Sequence, residues 1–139
     1  MAIFEGVFEV KEVDPDGKKF DRVSRFICSS ETFEMDLQID IATHIFPLGY
    51  EKFTLAIASS LNLDGSVDTD FDTNKPSLAD NYDYVMYGKI FRYQREGQSS
   101  SKVSIFASFG GLLMLLQGDP RYLEGIELDD RIYLLIKKI

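Results

Sequence analysis

The chain has 139 residues, 45% of them hydrophobic, and carries 15 Lys and Arg against 23 Asp and Glu for a formal net charge of -8. That length suits one domain around a single apolar core, and the acidic balance argues against a general nucleic-acid binder, whose affinity depends on surplus cations neutralising phosphates. One Cys and one His fall short of the about four ligands that a structural zinc site needs, and a lone Cys28 excludes an internal disulfide.

The N-terminal stretch carries Glu5 and Glu9 and lacks both a basic start and a long apolar run. It therefore reads as no secretory signal, and an intracellular, reducing location is expected, with Cys28 a buried thiol. A strand is predicted over residues 4–13. Asp14-Pro15-Asp16-Gly17 then supplies turn chemistry. Lys18, Lys19, Arg22 and Arg25 follow, opposed only by Asp21, and form the one basic concentration in the linear sequence. Phe20 and Phe26 lie among them. Basic side chains beside aromatics suit single-stranded nucleic acid, whereas a solvated turn with inward-facing phenyl rings is the plainer reading.

Strands are next predicted over 20–29 and 35–41. In the latter, Met35, Leu37, Ile39 and Ile41 alternate with Asp36, Gln38 and Asp40, so one face enters a core and the other meets water. Phe53, Leu55 and Ile57 repeat the pattern. The polar span 61–81 exceeds the usual length of a loop and reads as a mobile, solvated, acidic insertion. Further strands are predicted over 84–93, 103–109, 112–117 and 131–137, with turns at 97–101, Gly110-Gly111 and Gly118-Asp119-Pro120. The apolar runs 112–116 and 132–136 are too short to cross a bilayer. Eight short strands without covering helices must close on themselves or stack, which makes the chain all-β and either a small barrel or a sandwich.

Tests for chemistry fail. Asp68, Asp70 and Asp72 alternate like the first ligands of an EF-hand loop, but Thr73 stands where the sharp turn needs Gly, and Ala79 where a Glu should close the shell. His44 is flanked by Ile45, Phe46 and Pro47, which suggests ordinary packing rather than a nucleophile's base. Ser108-Phe109-Gly110-Gly111 is not the Gly-x-Ser-x-Gly elbow. No metal, cofactor or small-molecule substrate is expected.

Protein contact is the better reading. Val103, Ile105, Ala107 and Phe109 form the more uniformly apolar face of their strand, which leaves Phe106 outward, close to glycines that let another backbone approach. Tyr84, Met86 and Gly88 alternate with Val85, Tyr87 and Lys89 on a second strand. Tyr84, Met86, Tyr87, Phe106, Gly110, Gly111 and Leu112 are accordingly the candidate contact residues.

Four segments go beyond composition: Leu78-Ala79-Asp80-Asn81-Tyr82-Asp83-Tyr84-Val85-Met86-Tyr87-Gly88-Lys89, Ser108-Phe109-Gly110-Gly111-Leu112-Leu113-Met114-Leu115-Leu116-Gln117-Gly118, the stretch from Val13 to Arg25, and Tyr133-Leu134-Leu135-Ile136-Lys137-Lys138. Taken in order along the chain, they resemble the eighth subunit of eukaryotic nuclear RNA polymerases. The resemblance implies an eight-stranded antiparallel barrel related to the oligonucleotide-binding fold, spanning 1–139 as one domain. It implies a subunit shared by RNA polymerases I, II and III, held chiefly by the largest subunit and touching its neighbours, in the nucleus and nucleolus, with no catalytic residue or cofactor. It also associates weak single-stranded DNA binding with residues 16–40, in which Lys18, Lys19, Arg22 and Arg25 would be the contacts. Leu115 departs from the family pattern, in which many relatives carry an arginine.

Overall fold

A computed structural model describes residues 2–18, 20–30, 32–61, 77–95 and 102–139. Eight strands form: β1 (Ala2–Val13), β2 (Val23–Ser30), β3 (Met35–Ala42), β4 (Lys52–Ala58), β5 (Tyr84–Arg95), β6 (Val103–Phe109), β7 (Leu112–Gly118) and β8 (Arg131–Lys138). They close into an antiparallel barrel in the order β1-β2-β3-β7-β6-β5-β8-β4, with β4 returning to β1. Closure leaves no row of unpaired amides around the circumference as a template for aggregation. The all-β class expected from the alternation is found, and of the barrel and the sandwich that it left open the chain forms the eight-stranded barrel that the resemblance implies. Among the described residues no helix is long and apolar enough to cross a membrane.

Period-two patterning places the core. Met35, Leu37, Ile39 and Ile41 point inward with Phe26 and Cys28 from β2, Phe53, Leu55 and Ile57 from β4, and Ile105 and Leu116 from β6 and β7. Phe8 and Phe53 face each other across β1 and β4 with ring centroids 6.2 Å apart. Each fully buried large apolar side chain contributes about 2 kcal/mol relative to exposure, offset by the entropy of ordering it. Cys28 is 1% exposed, and burial pushes its thiol up to about 12. The native protein is therefore expected to react with a water-soluble thiol reagent only after denaturation. Rapid modification under native conditions, followed by loss of the Cys28 thiol in a peptide map, would contradict this placement.

Two local solutions complete the barrel. Phe109 and Leu112 are paired, so Gly110 and Gly111 alone make the β6–β7 hairpin. Their φ values of 64° and 101° are the left-handed pair that a right-twisted two-residue hairpin requires. At the β3–β7 seam, the backbone pairing ends at Ile39 and Met114. Beyond it the Asp40 carboxylate accepts the Leu113 N–H at 3.0 Å and takes a two-pronged fork from Arg25 of β2, at 2.8 and 3.1 Å. One side chain thus ties three neighbouring strands where the ladder stops.

The exterior also carries an apolar cluster of its own. Ala56, Ala58 and Leu135 face away from the barrel interior yet are buried, because Leu61, Leu78, Ala79 and Tyr82 pack over them. Leu78 and its neighbours form a short 3-10 helix, Leu78–Asn81, capped by Ser77 and Asp80. The Leu78 N–H donates to the Leu61 carbonyl at 2.7 Å. The expectation of a solvated insertion over 61–81 is corrected at both ends, which are packed on β4 and β8; its acidic middle, including Asp68, Asp70 and Asp72, lies outside the described residues.

Candidate interaction face

On the outer wall of β8, β5, β6 and β7 the alternation leaves side chains that the core does not use. Tyr87 and Tyr133 are partners across β5 and β8, with ring centroids 4.6 Å apart and planes inclined by 47°. The next outward row runs Arg131, Lys89, Ser108, Leu113 across the four strands. A register shift between Ile90 and Arg92 marks a bulge in β5, and it lets both Phe91 and Arg92 face outward. Arg92 stands opposite Phe106, its guanidinium carbon 5.4 Å from the ring centroid, while Phe91 lies 6.1 Å from the same ring at a 50° inclination. Tyr87, Phe91 and Leu113 are 49%, 48% and 41% exposed, and exposed apolar side chains that share one wall are associated with contact surfaces.

The sequence-derived contact residues divide. Phe106 and Tyr87 are outward as expected, and Gly110 and Gly111 are exposed at the hairpin tip. Tyr84 and Met86 are corrected: they are 7% and 8% exposed, turned into the barrel with Gly88. The Tyr84 hydroxyl accepts the Ala42 N–H at 3.2 Å and donates to the Met86 sulfur, so its polar end is satisfied inside and its ring stacks on Phe46. Leu112 is corrected as well, since it packs against the core and its neighbour Leu113 is the outward residue. Tyr133, Phe91, Arg92, Lys89 and Arg131 belong to the face and were not among the candidates. Tyr133 was legible from the alternation of Ile132, Tyr133 and Leu134; the bulge that exposes Phe91 leaves no such trace.

The basic turn is less available than its composition implies. Arg25 is committed to Asp40, and Lys18 donates to Ser24 at 3.0 Å. Arg22 is exposed, and Lys19 lies outside the described residues. A cleft of about 150 Å³ beside the turn is lined by Asp14, Asp16 and Asp40 as well as Arg25, Phe20 and Val23, which sets three carboxylates against one guanidinium. Phe26 is buried as the plainer reading required, but Phe20 is 68% exposed and does not point inward. His44 is exposed rather than packed, with Nδ1 3.4 Å from the Arg22 carbonyl. No group of three or more His, Cys, Asp or Glu side chains placed to share a metal ion occurs among the described residues.

Comparison with known proteins places these features in a family. The chain matches the family model described as RNA polymerase Rpb8 over residues 5–138. It is 78% identical over 138 residues to the Dictyostelium discoideum protein named DNA-directed RNA polymerases I, II, and III subunit rpabc3, covering 98% of this chain and 96% of that protein. It is 46% identical to the Arabidopsis thaliana protein named DNA-directed RNA polymerases II, IV and V subunit 8B, over 100% of this chain and 97% of that one. A Saccharomyces cerevisiae protein with the same I, II and III subunit description is 36% identical over 99% and 98% of the two chains.

Proposed function

The chain belongs to the RNA polymerase Rpb8 family, whose members are shared, non-catalytic polymerase subunits, and from that premise we propose that it docks on the largest subunit of nuclear RNA polymerases I, II and III through the outer wall of β5, β6 and β7. The observation that carries the reading is the aromatic wall itself. Tyr87, Phe91 and Phe106 stand outward on a barrel that needs none of them for its core. Gly110 and Gly111 at the adjoining hairpin permit close backbone approach. The role is structural, contributing to assembly of the enzyme in the nucleus and, through polymerase I, the nucleolus.

Phe106→Ala and Tyr87→Ala are each expected to leave the melting temperature of the isolated protein nearly unchanged while sharply reducing its recovery with the largest subunit in a pull-down. An aromatic anchor at a packed interface costs about 2 kcal/mol or more on truncation, against under about 0.5 kcal/mol for the same change on a free surface. Normal melting with undiminished assembly in both variants would place the contact elsewhere on the barrel.

A second reading, weak single-strand binding at the basic turn, draws support from exposed Phe20 beside Arg22. With Arg25 and Lys18 engaged and three carboxylates nearby, few phosphates are neutralised there. Binding of a single-stranded DNA oligonucleotide is expected to be lost between low and physiological salt. Tight binding at physiological salt that disappears when Lys18, Lys19, Arg22 and Arg25 become Ala would reverse the ranking of the two readings.

A further inference from the structure

The wall that carries the aromatics also gathers cations from strands far apart in the sequence. Lys89, Arg92 and Arg131 lie within it, Lys89 and Arg131 directly opposite each other across β5 and β8. Among the described residues the exposed Asp129 pairs with Lys89 at 3.5 Å, an ion pair open enough to water that a better-placed carboxylate can replace it. On a chain of net charge -8 such a concentration runs against the general charge of the surface. Arg92 lies over the Phe106 ring and donates from Nε and one terminal nitrogen to the Gln94 side-chain oxygen at 3.1 and 2.6 Å, which leaves Lys89 and Arg131 as the cations offered to a partner's carboxylates.

The ring geometry separates two kinds of anionic occupant. Stacking of nucleobases needs open, flat ring faces. Here Tyr87 and Tyr133 lean on each other at 4.6 Å, Phe91 leans on Phe106, and Arg92 lies over the Phe106 ring, so these rings are already engaged with neighbours, and Leu113 adds aliphatic bulk beside them. Such a surface suits apolar side chains of a polypeptide, with acids flanking them.

We infer that the occupant of this face is an acidic segment of the partner polypeptide, its carboxylates set against Lys89 and Arg131 and its apolar side chains on the Tyr87–Tyr133 and Phe91–Phe106 pairs. This rests on the docking reading above and adds to it the chemistry of the partner's segment.

The test is site-specific photocrosslinking in the assembled polymerase, with p-benzoylphenylalanine in place of Tyr87 or of Leu113 and the adduct identified by mass spectrometry. The expected adduct is a polypeptide segment with Asp or Glu immediately flanking the attachment point. A companion variant, Lys89→Glu with Arg131→Glu, is expected to bind the largest subunit about tenfold more weakly at low salt, with a smaller difference at high salt. An adduct to a neutral or basic segment, or an unchanged affinity in the companion variant, would overturn the inference and leave the docking reading standing. An adduct to nucleic acid would overturn it in favour of a strand-binding wall. Full assembly with no adduct from either position would defeat the docking reading and the inference with it.

Discussion

Replacing Gly88 with alanine is expected to destabilise the barrel by about 3 kcal/mol or more and to lower its melting temperature by roughly 10 °C. Gly88 sits on β5 opposite Ile132, in the inward series with Tyr84 and Met86, where β5 passes close to the end of β6. A Cβ there would lie 2.1 Å from the Ser108 carbonyl oxygen, 2.6 Å from the Phe109 ring and 2.9 Å from the Phe109 Cα. Two of those three atoms are backbone, so no rotamer change relieves the overlap, and the strands themselves must separate. Because β5 carries Tyr87 and β6 carries Phe106, separation would also spread the two halves of the contact wall, and recovery with the polymerase should fall together with stability. Gly49→Ala is the control: nothing lies within 4 Å of its added Cβ, and it should melt within about 2 °C of the parent. A Gly88→Ala variant that melted as the control does would show that the β5–β6 approach is looser than described.

The second large effect is expected at Asp40. Its carboxylate holds the Arg25 fork and the Leu113 N–H, the three bonds that bridge β2, β3 and β7 where the β3–β7 ladder ends. Asp40→Ala leaves a part-buried amide donor and a guanidinium without their acceptor. The Arg25 side chain is 38% exposed, so water recovers part of the charge interaction, and the expected cost is about 2 kcal/mol rather than the larger figure for a deeply buried pair. Asp40→Asn keeps an acceptor for Leu113 and should cost about half as much. Urea unfolding of Asp40→Ala in the parent and in an Arg25→Met background separates the contributions. An equal loss in both backgrounds would assign the whole effect to the Leu113 bond, and no loss in either would show that the seam is held by backbone packing alone.

How far the sequence foretold this arrangement varied with the chemistry of each strand. Residues 35–41 were unambiguous because apolar and acidic side chains alternate there, and such a strand has only one way to face a core. In 84–89 both series are mixed: Tyr84, Met86 and Gly88 against Val85, Tyr87 and Lys89. Alternation groups the residues but does not say which group is inside, and the buried bonds that draw Tyr84 inward reach Ala42, far away in the chain. The basic turn misled in the opposite sense. Four cations close in sequence read as a patch, but the acid that engages Arg25 lies on another strand, 15 positions on. The cations that do share a wall, Lys89 and Arg131, meet only once β5 and β8 are paired.

The hydrogen bond between Leu78 and Leu61 has a practical corollary. With Leu61 and Leu78 held together on the barrel wall, the ends of the connection are fixed, and lengthening a connection with fixed ends costs only about 0.6 kcal/mol for each doubling. An epitope or fluorescent tag placed between Leu61 and Leu78 would therefore report on the assembled enzyme from the β4–β8 flank rather than from the hairpin tip at Gly110.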